Sequence, residues 1–397
     1  MKLLKLALKN IRGSGFRSLA IFLLVTGVAS FLLTTTLIIK GSQNSLNSGI
    51  QRLGADIIAV PQGTEGKIET ALLMGKPASV WMPQENLDKI ASVPGVEKAS
   101  PQLYLASLFG ASCCSVSEMF IVVYDPQTDF TITPWLQQNL GRPLEKGEVV
   151  GGTYVFVPPG EPGIKLYGYT TKLAGTLEPT GTGIDQTMFM TLETAQDMAK
   201  TSLTSAVAPL KMPADSISSV LVKVKPGADV HQVAAQIAQD TTGVTPIESP
   251  NLFVSFENQM NGLLLGFLAL TLVMWVLAAL MMGVNFSMAT NQRRREIAVL
   301  RVVGAMPGFV FRLVLTEASI LAAGGAVVGT AVALTFLFVF KNALIASLKI
   351  PFLLPSIPTL AVLFIAGLGL AVAVVIISAL VPAIRASKQE LAIAMRE

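Results

Sequence analysis

Two adjacent cysteines, Cys113 and Cys114, are the residues whose types and spacing most suggest chemistry. Met119 lies a few residues further along the chain. Thiolate and thioether sulfurs are ligands for soft metal ions, and thiols outside the cytoplasm can oxidise. These three residues therefore predict a metal or redox site. Three alternatives remain open: a strained disulfide within the pair, a disulfide to another protein, or simple packing.

No other set of residues is typical of a catalytic site. The single histidine, His231, stands at the start of a predicted helix, where a lone surface histidine is expected to be inert. The sequence contains no H-E-x-x-H, no G-x-S-x-G and no G-x-x-x-x-G-K-[ST] motif. We therefore predict no catalytic residues, no cofactor held by this chain and no enzymatic activity of its own.

Four long apolar segments must position these residues. Residues 19–39, 258–292, 318–340 and 350–384 contain no charged side chain, and a helix of about 20 residues spans the hydrocarbon core of a bilayer. The chain is 52% hydrophobic with a mean hydropathy of +0.61. The predicted fold class is an integral membrane α-helical protein with four transmembrane helices in a 1 + 3 arrangement and an inserted α+β domain.

The distribution of charge predicts which side of the membrane each part occupies. Short loops rich in Lys and Arg stay in the cytoplasm, and such residues precede the first span and link the second span to the third. Both termini are therefore expected in the cytoplasm. Residues 41–257 carry about 13 basic and about 21 acidic side chains and are expected outside it. The formal net charge of +4 averages these two parts and gives no reason to expect a nucleic acid partner.

These arguments divide the chain into nine segments. Lys2, Lys5, Lys9 and Arg12 recur at helical spacing, which indicates either an amphipathic helix on membrane lipids or a plain basic flank. The segments are a cytoplasmic N-terminal helix (1–17), the first span (18–40), the extracytoplasmic domain with a stalk (41–257), the second span (258–290), a cytoplasmic coupling helix and linker (291–312), the third span (313–340), a short external loop (341–357), the fourth span (358–384) and a cytoplasmic tail (385–397).

Alternation of apolar residues and Gly or Pro punctuation predict the elements of the inserted domain. Strands are predicted at residues 56–60, 102–109, 119–124, 154–157, 165–176, 187–191 and 218–224. Helices are predicted at residues 83–93, 192–202 and 230–240. In the third span, Gly325 and Gly329 form a G-x-x-x-G motif, which lets two helices approach closely.

The segment after the second span gives the most specific pattern. Ile297, Leu300 and Gly304 fall on one face of a helix, and Pro307 follows its end. Residues 293–305 resemble the R-x-x-E-I-x-x-L-R-x-x-G-A segment of the FtsX/MacB-type ABC transporter permease family. In that family the segment is a coupling helix that docks into a separate ATP-binding subunit. The resemblance implies that role for Arg293, Arg295, Glu296, Ile297, Leu300, Arg301 and Gly304.

Four shorter motifs agree with this resemblance in order along the chain. They are similar to the family's LGAD, PGV, PTGTGxD and PAxRA patterns and stand at residues 53–56, 94–96, 179–185 and 382–386. Relatives often have an acidic residue followed by proline after the last span, whereas Glu390 is followed by Leu391 here. Together the motifs cover nearly the whole chain.

The resemblance implies a permease in the bacterial cytoplasmic (inner) membrane. It implies a second permease copy, identical or homologous, and two ABC ATP-binding subunits that hold ATP and magnesium. ATP-driven motion would pass to the extracytoplasmic domain and serve export or extraction of a hydrophobic or amphipathic substrate. Two alternatives stay open: an ATP-driven switch for an external enzyme or sensor, and a metal- or haem-handling permease that uses Cys113 and Cys114.

Overall fold

The structure is a computed structural model that describes residues 2–107, 119–292, 299, 302, 306–346 and 351–387. The chain divides into two compact units. The membrane unit comprises Met1–Lys40, Asn261–Asn342 and Leu354–Glu397. The head unit comprises Gly41–Met260 together with Ala343–Leu353. Part of the loop between the last two spans therefore belongs to the head unit.

The described residues form ten helices and eleven strands. The helices are α1 Lys2–Gly13, α2 Gly15–Leu53, α3 Glu65–Met74, α4 Glu85–Ala91, α5 Thr133–Asn139, α6 Leu192–Ser205, α7 Val230–Asp240, α8 Val254–Gln292, α9 Pro307–Ala346 and α10 Ile357–Ser387. The strands are β1 Ile57–Pro61, β2 Met82–Pro83, β3 Val96–Ala106, β4 Phe120–Tyr124, β5 Glu148–Gly151, β6 Ile164–Leu166, β7 Tyr169–Thr176, β8 Thr187–Thr191, β9 Ser216–Ile217, β10 Ser219–Val224 and β11 Val244–Glu248.

Helices α2, α8, α9 and α10 are each long and apolar enough to cross a membrane. This confirms the predicted 1 + 3 arrangement, because the head unit is inserted between the first and second of them. Small residues occupy the contacts between these helices, including Ala278, Ala318, Ala322 and Ala379. Close helix approach in lipid depends on such residues because lipid tails are as apolar as Leu side chains.

The glycines of the G-x-x-x-G motif lie against α2 in the membrane unit. A Cβ atom added to Gly325 would lie 2.9 Å from the Cβ of Val25. A Cβ atom added to Gly329 would lie 2.6 Å from the carbonyl oxygen of Thr26. Only glycine permits this separation of α2 and α9 without a shift of one helix.

The head unit is built on one nine-stranded mixed sheet with the order β11-β1-β10-β3-β4-β8-β5-β7-β6. Strand β4 runs parallel to β8, and β5 runs parallel to β7. Strands β2 and β9 form a separate two-stranded ribbon. Mixed pairing with helices on both faces agrees with the predicted α+β class.

Side chains alternate between the two faces of this sheet, as the pleat requires. On one face, Ile58, Tyr104 and Phe189 pack with α3, α5 and the end of α2. On the other face, Ala59 and Val222 pack with α4 and α7. Further along that same face, a second cluster packs with α6 through Leu103, Val123, Met190 and Met198.

Several predicted elements need correction. Residues 154–157 form no strand: the N–H of Tyr154 donates to the carbonyl oxygen of Asp185 at 2.8 Å, and that of Val155 to Gly152 at 2.9 Å. The single strand predicted at 165–176 is a hairpin, β6 and β7, because Tyr167 and Gly168 adopt positive φ. Helices α3 and α5 and strands β5 and β11 were not predicted.

Candidate functional site

Most of the predicted site residues lie outside the described part of the chain. These are Cys113 and Cys114 and the coupling residues Arg293, Arg295, Glu296, Ile297, Leu300, Arg301 and Gly304. Met119 is described, and its N–H donates to Ser107 Oγ at 2.6 Å beside strand β4. Among the described residues, no group of three or more His, Cys, Asp or Glu side chains could hold a metal ion.

His231 has a structural partner. Its Nδ1 lies 2.7 Å from Glu248 Oε1, and the hydrogen bond to this carboxylate raises the pKa of the histidine. The side chain is 82% exposed, so the pair contributes little to stability. His231 therefore forms a surface contact between α7 and β11.

The PTGTGxD motif forms an extensive buried polar network in the head unit. Asp185 Oδ1 accepts hydrogen bonds from the N–H of Thr180 at 2.7 Å and from its hydroxyl at 2.8 Å. Asp185 Oδ2 accepts from the N–H of Gly181 at 2.7 Å. The carboxylate is 1% exposed, and burial raises the pKa of Asp185 although these donors favour the ionised form. The network fixes the conformation of the loop because a buried carboxylate without partners would be costly.

The loop packs tightly against the outer part of α2 and the end of α3. Thr182 Oγ1 lies 2.8 Å from Thr180 Oγ1, which holds the Thr182 methyl group in place. A Cβ atom added to Gly49 of α2 would lie 2.9 Å from that methyl group. A Cβ atom added to Gly183 would overlap the backbone of Gly75. These contacts require glycine at both positions, because each backbone approaches another chain segment directly.

A third segment joins at the same loop. The N–H of Phe352 donates to the carbonyl oxygen of Gly181 at 3.2 Å, and the N–H of Leu353 donates to that of Gly41 at 3.1 Å. Phe352 is 4% exposed, and a Cβ atom added to Gly41 would overlap its ring. Residues 351–353 are therefore held between α2 and the PTGTGxD loop. We call this meeting of three segments the loop junction.

An ion pair closes the loop junction at its other end. Arg52 Nη2 lies 2.6 Å from Glu178 Oε2, and the indole N–H of Trp135 donates to both carboxylate oxygens at 3.1 Å. The hydrogen bond from Arg52 lowers the pKa of Glu178. These groups line a polar groove of about 510 Å³ between α2 and α5. The groove lies between the end of α2 and the body of the head unit.

The LGAD motif joins the two helices that leave the head unit. The Asp56 carboxylate accepts from Lys223 Nζ and from the N–H of Val224, both at 2.9 Å. The Ser249 N–H donates to the Asp56 carbonyl oxygen at 2.9 Å, and its hydroxyl donates to the Ala55 carbonyl oxygen. The end of α2 is thereby bonded to the segment that leads into α8.

The PGV motif makes a turn that only glycine tolerates. Gly95 has a φ of +94°, and a Cβ atom there would lie 2.6 Å from Val233 of α7. The sequence showed these motifs as features typical of the family. It did not predict the contact of Phe352 with the PTGTGxD loop or the contact among Arg52, Glu178 and Trp135. Pro351 and Pro355 stand on either side of Phe352. Because proline interrupts a helix, they could have indicated that Phe352 is not part of the last span.

The loop junction contains no reactive constellation. Its parts are held together by hydrogen bonds and close backbone contacts.

Comparison with known families assigns both parts of the chain. The model of the MacB-like periplasmic core domain matches residues 18–240, more than half of the chain. The model of the FtsX-like permease C-terminal region matches residues 268–391. No curated protein matches the chain.

Two solved structures are similar to part of the chain. The periplasmic region of MacB from Actinobacillus actinomycetemcomitans aligns at 9% identity over 53% of this chain and 96% of its own, with a TM-score of 0.33. The extracellular domain of the noncanonic ABC-type transporter YknZ from Gram-positive bacteria aligns at 11% identity over 49% of this chain and 99% of its own, with a TM-score of 0.29.

The two family matches stand in the same order as the head unit and the last three spans. The family comprises permease components that work with ABC ATPase partners. The chain therefore belongs to the MacB/FtsX family of ABC-type transporter permeases, and it is a multi-pass membrane protein.

Proposed function

We propose that this permease converts ATP hydrolysis by a separate ATPase subunit into movement of its head unit, and that the movement exports or extracts a hydrophobic or amphipathic substrate. In this mechanism the substrate is handled outside the cytoplasm. The chain itself holds no nucleotide. The partner ATPase binds ATP and magnesium.

The continuity of α2 is the observation that supports this proposal. The helix has 39 residues without a break, which corresponds to about 58 Å at 1.5 Å per residue. That length is about twice the hydrocarbon core of a bilayer. Its outer part carries the contacts of the loop junction through Gly41, Gly49 and Arg52. Because α2 is continuous and its end is held in the loop junction, a displacement of α2 would move the head unit, with no flexible linker between them.

The assembly follows from the same argument. Four helices are too few to enclose a path, so we infer two permease copies, identical or homologous, above two ATPase subunits. From the basic segments we infer that both termini and residues 291–312 lie in the cytoplasm. From the family we infer that the protein lies in the inner membrane of a bacterial cell. The head unit then lies on the opposite side.

The coupling segment is the proposed contact with the ATPase. Its apolar face, with Ile297, Leu300 and Gly304, would dock into the partner, and Arg293, Arg295, Glu296 and Arg301 would surround that contact. Permease-stimulated ATP hydrolysis, measured in a correctly inserted complex, tests this role. We expect Glu296→Ala, Ile297→Asp and Gly304→Leu each to reduce stimulation. Unchanged stimulation in all three variants would remove the role.

The mechanical step needs a separate test. Proline inside a helix removes a hydrogen bond and costs about 3 kcal/mol, so Asn47→Pro should interrupt α2 within the loop junction, between its contacts at Gly41 and at Gly49. We expect ATP hydrolysis to persist in this variant while ATP-dependent changes in hydrogen exchange at residues 180–185 disappear. Asn47→Ala changes the same exposed position without breaking the helix and should behave as the unmodified protein does. Retained ATP-dependent exchange in Asn47→Pro would contradict transmission through α2.

A further inference from the structure

We propose that a cleft in the head unit binds an amphipathic organic cation, which makes this class of molecule the cargo of the permease. The cleft has a volume of about 370 Å³, within the range of about 300–1,000 Å³ that is usual for small-molecule sites. The inference rests on the proposed function, because it names the substrate class of the export or extraction step.

The cleft lies on one face of the sheet, between the start of α6 and the β2–β9 ribbon with the segment that leads into it. Residues 101–103 of β3 and 123–125 at the end of β4 line it along the sheet. Leu192 and Gln196, four residues apart at the start of α6, line one side. Gln84 and residues 212–217 line the other. The wall elements thus come from five separate parts of the chain, which the fold brings together.

Apolar groups make up much of the lining. Leu103, Val123 and Ile217 are buried members of the clusters below the cleft. Leu192 lines the cleft but is 43% exposed, although it is a large apolar side chain. A ligand that covered it would gain about 25 cal/mol for each Å² of apolar surface removed from water. The lining therefore favours a ligand with an apolar body.

The charged side chains among the lining residues are both carboxylates, Asp125 and Asp215. Asp125 accepts from the N–H of Gln127 at 3.1 Å and from Thr128 Oγ1 at 2.9 Å, which leaves lone pairs for a further donor. The remaining polar lining consists of neutral amide and hydroxyl groups, as in Gln84, Gln196 and Ser216. Charge complementarity therefore favours a cation and disfavours an anion.

Asp215 is held at the cleft in a strained conformation. Its φ of 52° lies in the left-handed region, which costs a residue other than glycine about 1–2 kcal/mol. The N–H of Gln84 donates to the Asp215 carbonyl oxygen at 2.9 Å, and the β2–β9 ribbon continues directly from this point. The fold thus fixes the backbone of Asp215 at the wall of the cleft. The combination of apolar lining and two carboxylates identifies the occupant as an organic cation.

Equilibrium binding to the full chain in nanodiscs, without the ATPase, tests the proposal. The probes are 2-(1-naphthyl)ethylamine, which is a cation at neutral pH, and 2-(1-naphthyl)ethanol, its neutral counterpart. Empty nanodiscs correct for partition into lipid. We expect the amine to bind about tenfold more tightly than the alcohol, because only the amine carries a charge that the carboxylates attract. Asp215→Asn and Asp125→Asn should each reduce amine affinity and leave alcohol affinity unchanged.

Two further variants keep the test decisive. Glu161→Gln removes an exposed carboxylate elsewhere on the head unit and should leave amine binding unchanged. Ala214→Trp should fill the cleft and abolish saturable binding of both probes. Equal affinities for the two probes, amine binding that survives Ala214→Trp, or displacement of the amine by millimolar Ca²⁺ would each overturn the proposal.

These outcomes are distinguishable from failure of the proposed function. Binding is measured without the ATPase, so loss of cation selectivity would leave coupling intact. Loss of the ATP-dependent exchange changes, with amine binding retained, would overturn the coupling mechanism and leave the cleft as a ligand site.

Discussion

The backbone N–H of Phe352 donates to the carbonyl oxygen of Gly181 at 3.2 Å, although the two residues are far apart in sequence. Gly181 belongs to the PTGTGxD loop, and Phe352 belongs to the segment between α9 and α10. Through this bond the loop junction includes part of the loop between α9 and α10 in addition to α2. The head unit thus contains hydrogen-bonded chain segments that continue into the first, second and fourth spans.

Substitution of Gly181 should open this contact. Gly181 has a φ of +73°, and a Cβ atom would lie 2.6 Å from the carbonyl oxygen of Phe352. We expect Gly181→Ala to increase hydrogen exchange at residues 351–353 and to weaken ATP-dependent changes in the head unit. Gly227→Ala is the matched control, because Gly227 has a φ of +88° with open space around it. Equal exchange in the two variants would show that backbone strain alone, and no contact with Phe352, accounts for the effect.

Glu148 should make part of the head unit sensitive to acid. Its carboxylate, 4% exposed, lies 2.7 Å from Arg142 Nη1 and 3.2 Å from Lys172 Nζ. The hydrogen bond from Arg142 lowers the pKa of Glu148 from an ordinary value of 4.5 to about 2. A carboxyl with a lowered pKa contributes stability above its unfolded pKa and loses it as the pH falls toward the folded value. We therefore expect the local stability of β5 and β7 to fall between pH 4.5 and about 2.

The Glu148→Gln variant tests the source of this pH dependence. It should cost about 2–3 kcal/mol at neutral pH, because two cationic partners lose a buried carboxylate, and it should flatten the acid response. Hydrogen exchange of β5 and β7 reports both effects. Glu145→Gln is the control: that carboxylate is exposed and lies 3.6 Å from Arg142. An acid response that persists unchanged in Glu148→Gln would assign it to another group.

The membrane organisation could be predicted because it depends on composition along the chain. An uncharged run long enough to span a bilayer leaves few alternatives to a transmembrane helix. The PTGTGxD motif could be found in the sequence because its residues stand in the family's order. Its structural role could not be predicted, because the contacts of Gly181 with Phe352 and of Gly49 with Thr182 join segments that are distant in sequence.

The errors in the head unit have local causes. Residues 154–157 are aromatic or β-branched, as is typical of a strand, but the N–H of Tyr154 donates to the carbonyl oxygen of Asp185 in the PTGTGxD loop. Strand β5 escaped prediction because it has only four residues, and two of them, Glu148 and Gly151, are of types that are uncommon in strands. The Asp125–Asp215 cleft could not be inferred either, since its two carboxylates come from opposite sides of β8 and α6 in sequence.

Packing of α9 on α2 should depend on the absence of a side chain at Gly329. A Cβ atom at this position would lie 2.6 Å from the Thr26 carbonyl oxygen and 3.0 Å from the Ala29 Cβ. We expect Gly329→Ile to lower the thermal stability of the detergent-solubilised protein by separating the two helices, at a cost of about 1–3 kcal/mol for overpacking. Gly369→Ile, at a glycine of α10 with nothing within 4 Å, should change the melting temperature little. Equal melting temperatures for the two variants would contradict the packing role of Gly329.

The predicted metal or redox role of Cys113, Cys114 and Met119 needs a chemical measurement. We expect the full chain, purified under reducing conditions, to retain copper(I) after dialysis if the two thiolates and the thioether act as soft ligands. Cys113→Ser combined with Cys114→Ser should abolish retention, and Met119→Leu should weaken it by removing one ligand while keeping the apolar contacts of β4. Thiol titration distinguishes a disulfide, because an oxidised pair reacts only after reduction. Copper retention that is unchanged in the double serine variant would place any metal site elsewhere in the chain and leave the cysteines a structural or disulfide role.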